Sequence, residues 1–492
     1  MKLSTLYKLT YIYLALPLFL FIISWLNFGF AMLYALLLCG AFYFAYPQEV
    51  YKASENFNRK SLALMTGVAI VWCFFAGIGY FYYQSFDYHF RNAVFRDLIN
   101  YDWPVFYPLA NTPLVYYMAF WLVPAGVTKF FSLFTSDRYT LFMLGNYILY
   151  IYAVIGVTLV FAHLTQALKA RSKRQILAGI VLFILFSGLD IIGYKFFVII
   201  GQPFEYHLES WATFVQYSSV TTGVFWVFNQ FIPLALITLL VYNERKIGNF
   251  GLIATLSLFF SPYPAAGICT FMVAYAGVCF AKSADKKKFL QEDIFSVQNI
   301  IGAFGLLPLL VLYFITNSEG MEGWQNIFNF IAPRRLILFM VLEFLLYVVI
   351  LFPQYCRNVF FLTMFISLLL IPFIKLDQQN NFCMRASIPA VVILAVFCIR
   401  FLFEQRRAHP FKTIVLGILL AIGAVTPLTE FYRGIHYVSK AHKMALVKDE
   451  IYTLNGRFIP MPEFGYDVNH QYTARDYKTD IFWQYLSKKL PR

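Results

Sequence analysis

The chain has 492 residues, of which 60% are hydrophobic and only 13% charged, with a mean hydropathy of +0.64. Apolar runs of about 17 to 25 residues recur along it, each long enough for the ~30 Å hydrocarbon core of a bilayer, which excludes a soluble globular domain and predicts an all-α polytopic membrane protein. The net charge of +14 would suggest a nucleic-acid partner in a soluble protein, but here Lys and Arg gather in short loops between apolar runs, where they set topology.

Taken in chain order, the apolar runs predict spans near 8–25, 28–46, 62–84, 139–163, 175–192, 224–242, 298–316, 336–354, 358–374, 386–403 and 411–428. Two shorter runs, 249–261 and 264–281, flank "SPYP" and read as a hairpin of short helices broken at Pro262 and Pro264. That makes about thirteen spans. The first run lacks a small-residue cleavage site, which favours a retained helix over a signal peptide, and no lipidation motif is seen. Cys39, Cys73, Cys269, Cys279, Cys356, Cys383 and Cys398 lie mostly inside apolar runs and form no CxxC pair, so they read as packing residues.

Charge decides the fate of the run 113–134. With the amino terminus inside (Lys2, Lys8), the basic loops around Lys52, Arg59 and Lys60, around 169–174, at Arg245 and Lys246, at Lys282 and 286–288, and at Arg406, Arg407 and Lys412 are all cytoplasmic only if 113–134 does not cross. It therefore reads as interfacial or re-entrant, broken at Pro124 and anchored by Lys129 and tyrosines. The chain divides into amino-terminal transmembrane helices over 1–84, an outer loop with interfacial helices over 85–138, a transmembrane bundle over 139–428 and a small outer-face tail over 429–492. Polar stretches 193–222, 317–335 and 375–385 join the opening loop and the tail on the outer face.

The richest of these stretches is 87–117, "DYHFRNAVFRDLINYDWPVFYPLANTPLVYY". Phe90, Val94, Leu98 and Tyr101 recur at helical spacing, so 88–101 reads as an amphipathic helix on the bilayer surface. Asp87 then stands at its N-cap, where it either serves as a functional acid or only satisfies free amides; no Glu or Gln completes a capping box.

In order and spacing, Asp87, Arg96-Asp97, Asp102-Trp103 and Pro113-Leu114-Val115-Tyr116-Tyr117 resemble the first outer loop of the GT-C superfamily of membrane glycosyltransferases, such as the lipid A aminoarabinose transferases and protein O-mannosyltransferases. Two departures stand out. Asn111 and Thr112 occupy the place where the family often carries a Lys, and two spans precede the loop where one is usual. The resemblance implies transfer of a sugar from a polyprenyl-phosphate donor to a lipid, glycan or protein acceptor, with 85–138 as the catalytic loop and Asp87 as general base. It implies donor or acceptor contacts from Arg96, Asp97, Asp102, Trp103, Tyr116 and Tyr117; His89 and Arg91, charged residues of the same stretch, are further donor- or acceptor-binding candidates. The expected setting is the bacterial cytoplasmic (inner) membrane, with the site facing the periplasm or exterior.

Outside that loop, Glu205, His207 and Glu209 follow one another at two-residue spacing, with Trp211 and Tyr217 placed to stack on a sugar; a solvated interfacial loop is the plainer reading. Arg334-Arg335 and Lys375, Asp377 and Arg385 are basic or acidic residues on the outer side, available to a lipid phosphate or to headgroups. Of these Arg385, with Arg96, is the candidate to hold the leaving phosphate. Asp190, near the outer end of its span, is a further candidate for the site with Lys195 as its partner; Glu343, near mid-span, reads as one of a buried pair, a neutral protonated acid or a proton-path residue. Asp87, Asp97, Asp102, Glu205 and Asp377 are the acids open to a divalent cation, with no spacing that decides metal dependence. Competing readings are a transporter or flippase of lipid-linked sugars, and a polysaccharide polymerase or ligase.

Overall fold

A backbone in hydrocarbon has no water to satisfy its N–H and C=O groups, so apolar runs close their hydrogen bonds as helices. The structure, a computed structural model, describes residues 2–45, 57–85, 87–201, 207–317, 325–377, 380–445, 454 and 471–490. It is an all-α polytopic membrane protein. Its helices are α1 (Leu3–Trp25), α2 (Phe28–Ala45), α3 (Arg59–Phe75), α4 (Tyr88–Asn100), α5 (Ala119–Phe131), α6 (Arg138–Ala167), α7 (Lys173–Ile184), α8 (Asp190–Ile199), α9 (Val220–Glu244), α10 (Phe250–Phe260) and α11 (Pro262–Lys282). There follow α12 (Val297–Phe314), α13 (Pro333–Tyr355), α14 (Val359–Leu370), α15 (Asn381–Ala386), α16 (Ile388–Glu404), α17 (Pro410–Gly423) and α18 (Val425–Ala445).

Among the described residues nine helical stretches are long and apolar enough to cross a membrane: α1, α2, α6, α9, α11, α12, α13, α15 running into α16, and α17 running into α18. The other four expected spans are α3, α7, α10 and α14, with 17, 12, 11 and 12 residues. Local chemistry shortens two of them. α3 stops at Gly77, whose φ of 73° suits glycine, and a Cβ there would collide with the Tyr83 carbonyl. α7 ends ahead of Gly188, where a Cβ would strike the Glu343 carboxylate, so this loop passes hard against α13.

The bundle is built around α9, 94% of whose apolar window is buried against α5, α6, α10, α11 and α16. By contrast α2 is 22% buried, and Phe28, Leu36, Val349 and Ile414 face outward as a surface suited to lipid tails. The run 113–134 forms α5, only 13 residues long and about 20 Å at 1.5 Å per residue. Pro124 lies inside α5 without ending it, so the expected break is not there.

The polar stretches meet at one end of the bundle. β1 (Phe106–Tyr107) pairs antiparallel with β2 (Thr112–Pro113), and β3 (Gln325–Asn326) with β4 (Ile374–Lys375). Asn380 Nδ2 donates to the Phe214 carbonyl at 2.7 Å, and Asn317 Nδ2 to the Val115 carbonyl at 2.7 Å. Residues 471–490 strap this end together. Bridges join Thr473 to Leu114, Ala474 to Asn317 and Ser487 to Leu26, and Lys488 N donates to the Trp25 carbonyl. The far end carries Glu244, Lys246 and Asn249, with Lys246 Nζ donating to the Ala45 carbonyl at 3.0 Å.

Candidate functional site

α4 is less of a surface helix than its sequence pattern predicts. Tyr88, Phe90, Arg91, Val94, Phe95, Asp97 and Leu98 are all buried, because α5, α6 and the strap cover it. It is bolted to the end of α3: Tyr88 O–H donates to the Ala76 carbonyl at 2.7 Å, and Asn92 Nδ2 reaches Gln84, whose own amide reaches the Gly77 carbonyl. Asp87 stands at the N-cap position but makes no side-chain cap bond. Its Oδ2 instead accepts from Arg91 Nη2 at 2.9 Å, one turn on, with 41% of the Asp87 side chain exposed. The capping alternative for Asp87 is thereby replaced by an ion pair at the mouth of the protein.

Tyr116 and Tyr117 follow β2 and pack with ring centroids 3.8 Å apart, tilted by 32°. Tyr472 of the strap closes on them, 4.6 Å from Tyr116 and 6.0 Å from Phe90. From α15, Arg385 Nη1 donates to Tyr117 O–H at 2.9 Å, and Asp87 lies within its electrostatic reach. Asp87, Arg91, Tyr116, Tyr117 and Arg385 thus come together, although 268 positions separate Tyr117 from Arg385. Burial works against the Arg91 charge, yet Asp87 and the tyrosine hydroxyls more than offset it and hold the guanidinium protonated. Arg91 Nη1 and Arg385 Nε are buried donors with no partner among the described residues. An unpaired buried donor costs roughly 1–3 kcal/mol, more on a charged group, so a site with two of them and, among the described residues, the one carboxylate of Asp87 is suited to an anion.

Several expected contacts lie elsewhere. Arg96 sits over the rings of Tyr80 and Phe142, at 5.6 and 5.7 Å. Asp97, on the next face of α4, accepts from Tyr107 O–H at 3.0 Å and from Leu454 N at 2.9 Å. Burial pushes its carboxyl up to about 7 against the pull of those two hydrogen bonds. Asp102 is exposed. Trp103 donates to the Leu98 carbonyl and packs on Trp25, while Lys129 Nζ donates to the Ile99 and Tyr101 carbonyls, so together they finish the C-terminal turn of α4. His89 is half-buried in the first turn of α4. Asp377 caps α15, accepting from Asn381 N at 2.9 Å and Phe382 N at 3.3 Å. Lys375 donates to Gln325 and lies over the Phe330 ring. Glu205 lies outside the described residues. Among the described residues no group of three or more His, Cys, Asp or Glu is arranged to hold a metal ion.

The segment 207–217 corrects the expectation of a solvated loop. His207 Nε2 lies 2.8 Å from Glu430 Oε1 on α18, which also accepts from Arg433 Nη1 at 3.2 Å, and Trp226 Nε1 donates to Glu430 Oε2 at 2.8 Å. Glu209 is buried and accepts from Ser219 N at 2.9 Å and Gln216 Nε2 at 2.6 Å; burial pushes its carboxyl up to about 7. Burial disfavours the charged His207 ring, but Glu430 and Glu209 reverse this and raise it above its ordinary value. Trp211 and Tyr217 are buried too, Trp211 donating to Glu343 Oε1 at 3.2 Å and Tyr217 to the Leu368 carbonyl, so neither ring is free to stack on a sugar. Asp190 accepts from Ser187 at 2.7 Å and Thr426 at 3.0 Å, not from Lys195, which is exposed.

A small crevice beside the His207–Glu430 pair is lined by Tyr83, Ser85, Trp226, Glu430 and Arg433. Tyr472, Trp226, Glu430 and Arg433 are the residues that sequence reasoning missed. Glu430 and Arg433 did leave a signal, an i,i+3 charge pair just past an apolar run expected to end at 428. Tyr472 left none. Compared with known proteins, the chain matches no family model, no curated protein and no solved structure.

Proposed function

We propose that the protein is a GT-C-like membrane glycosyltransferase that moves a sugar from a polyprenyl-phosphate donor to an acceptor hydroxyl. On this reading the bundle crosses the membrane about thirteen times, with the shorter α3, α7, α10 and α14 included, and the strapped end faces outward. One observation carries the reading. Two buried guanidinium groups, Arg91 and Arg385, each with a donor unused among the described residues, meet beside the half-exposed carboxylate of Asp87.

Asp87 takes the proton of the acceptor hydroxyl, and the hydroxyl oxygen forms the new bond to the anomeric carbon. The bond from that carbon to the phosphate oxygen breaks, its electron pair leaving on the phosphate. Arg91 and Arg385 hold the growing charge with donors already in place, which needs no reorganisation at the moment of reaction. Arg91 takes the role expected of Arg96, whose guanidinium lies between two rings. The Tyr116, Tyr117 and Tyr472 rings wall the site.

The test is to purify wild type and Asp87→Asn, supply polyprenyl-phosphate sugars, and follow release of the lipid phosphate with glycosylated product. Loss of a general base lowers turnover by about 10²- to 10⁴-fold. Equal turnover removes Asp87 from the mechanism. Protein that turns over no donor but moves lipid-linked sugar between leaflets is a flippase.

A further inference from the structure

The most heavily buried helix of the bundle has a break in its middle. α9 leaves helical geometry at Val227 (φ −135°, ψ 41°), and Pro233 brings no N–H to the carbonyl four residues back, that of Asn229. Asn229 and Gln230 follow the break, both fully buried. Among the described residues neither Nδ2 nor Oδ1 of Asn229 has a partner, and Gln230 Nε2 has none, its Oε1 alone being engaged by the Ser261 hydroxyl at 2.9 Å. An unmet polar group in hydrocarbon costs several kcal/mol, so two adjacent amides left open need a reason.

Their neighbours tie this break to the anion site. Phe228 stacks on Tyr88, in the turn that carries Asp87 and Arg91, with centroids 5.4 Å apart. It also meets Trp121, which packs against Tyr116. Ser261, bonded to Gln230, opens α11; two residues on, Tyr263 packs against Phe382 of α15, the helix that carries Arg385. The open amides therefore lie on the element that bridges the Arg91 and Arg385 sides of the site.

The chemistry of the open atoms selects the ligand. Amide N–H groups cannot ligate a cation, and the open Asn229 Oδ1 would repel an anion. A group that both donates and accepts, as an alcohol does, satisfies all three atoms. We propose that Asn229 and Gln230 form a hydroxyl-reading subsite for an uncharged polyhydroxylated ring, which on the functional reading above is the sugar of the lipid-phosphate donor.

The experiment uses the full chain in lipid nanodiscs and measures binding of undecaprenyl phosphate against a panel of undecaprenyl-phosphate hexoses and pentoses. Wild type binds at least one sugar-bearing lipid about 10-fold or more tighter than the bare one, the worth of a single well-made hydrogen bond. Asn229→Leu and Gln230→Leu bring that ratio to near 1 while leaving affinity for undecaprenyl phosphate unchanged, whereas Arg385→Gln weakens both. Because an unpartnered amide is replaced by an apolar group of similar size, Asn229→Leu melts no lower than wild type. A wild-type ratio near 1 with bare lipid still bound, or a ratio that survives both substitutions, overturns the subsite, leaves the anion site standing and assigns the amides to water. If wild type binds neither lipid, the functional reading falls, and the subsite with it.

Discussion

Asp97 gives the sharpest physical test, because its environment is closed on every side and it lies outside the long apolar spans. Its carboxyl is buried beside Tyr107 and the Leu454 amide, and is pushed up from 3.8 to about 7. Between those two values the folded protein keeps a proton that the unfolded chain has released, so stability falls as pH rises through this window and levels off above it. A tenfold difference in proton affinity is worth about 1.4 kcal/mol, so raising the pH from 5.5 to 7 removes roughly 2 kcal/mol. In a large chain that corresponds to roughly 2–4 °C in melting temperature. Asp97→Asn keeps an oxygen for Tyr107 and Leu454 but cannot ionise. Melting curves of purified wild type and variant across pH 5 to 8.5 should therefore converge at acid pH and separate near neutrality, with the variant the more stable. Other titrating groups, Glu209 among them, cancel in the difference. Parallel curves would refute both the buried carboxyl and its role in holding residue 454.

Arg91→Gln and Arg385→Gln should each weaken binding of undecaprenyl phosphate by 10-fold or more, measured by titration in nanodiscs, whereas Arg96→Gln should leave it within about twofold. The His207–Glu430 pair has the opposite chemistry to a lone buried acid but the same pH sense. The raised His207 contributes its full stability below about pH 6.5 and loses it as pH rises through its folded value, so the destabilisation caused by His207→Gln should shrink between pH 6 and 9 in thermal melts. Trp483→Ala, which empties a buried site in the strap beside Phe482, Tyr313 and Thr316, should cost about 3–5 kcal/mol, read as faster proteolysis of the strap.

Hydrophobic run length made most of the bundle legible, because any stretch in hydrocarbon must be apolar and helical whatever it packs against. What it could not supply were the stops that tertiary contact imposes. Gly77 turns α3 off early, and the close pass of Gly188 against Glu343 shortens α7; neither glycine announces its neighbour in the sequence. The same division runs through the site. Asp87, Arg91, Tyr116 and Tyr117 are near one another in sequence, and a charged cluster in an apolar chain marks itself. Arg385 was identifiable as a basic residue placed against the charge rule. Tyr472 is one tyrosine among 35 in a polar tail, and only the fold gives it a place. For 207–217 the alternating charges suggested solvent, but His207 and Glu209 are buried because Glu430, Ser219 and Gln216 complete them.

The strap also orders events during biosynthesis. Asp97 bonds a backbone amide 357 positions later, Tyr472 closes over Tyr116, and Lys488 returns to the end of α1. Residues 454–488 leave the ribosome after every helix named above, so the nascent bundle reaches the membrane with this end open. Contacts of such long sequence separation form last and slowly. A chain released early would insert and pack most of its helices yet lack the strap, leaving the underside of α4 and the Tyr116 ring uncovered.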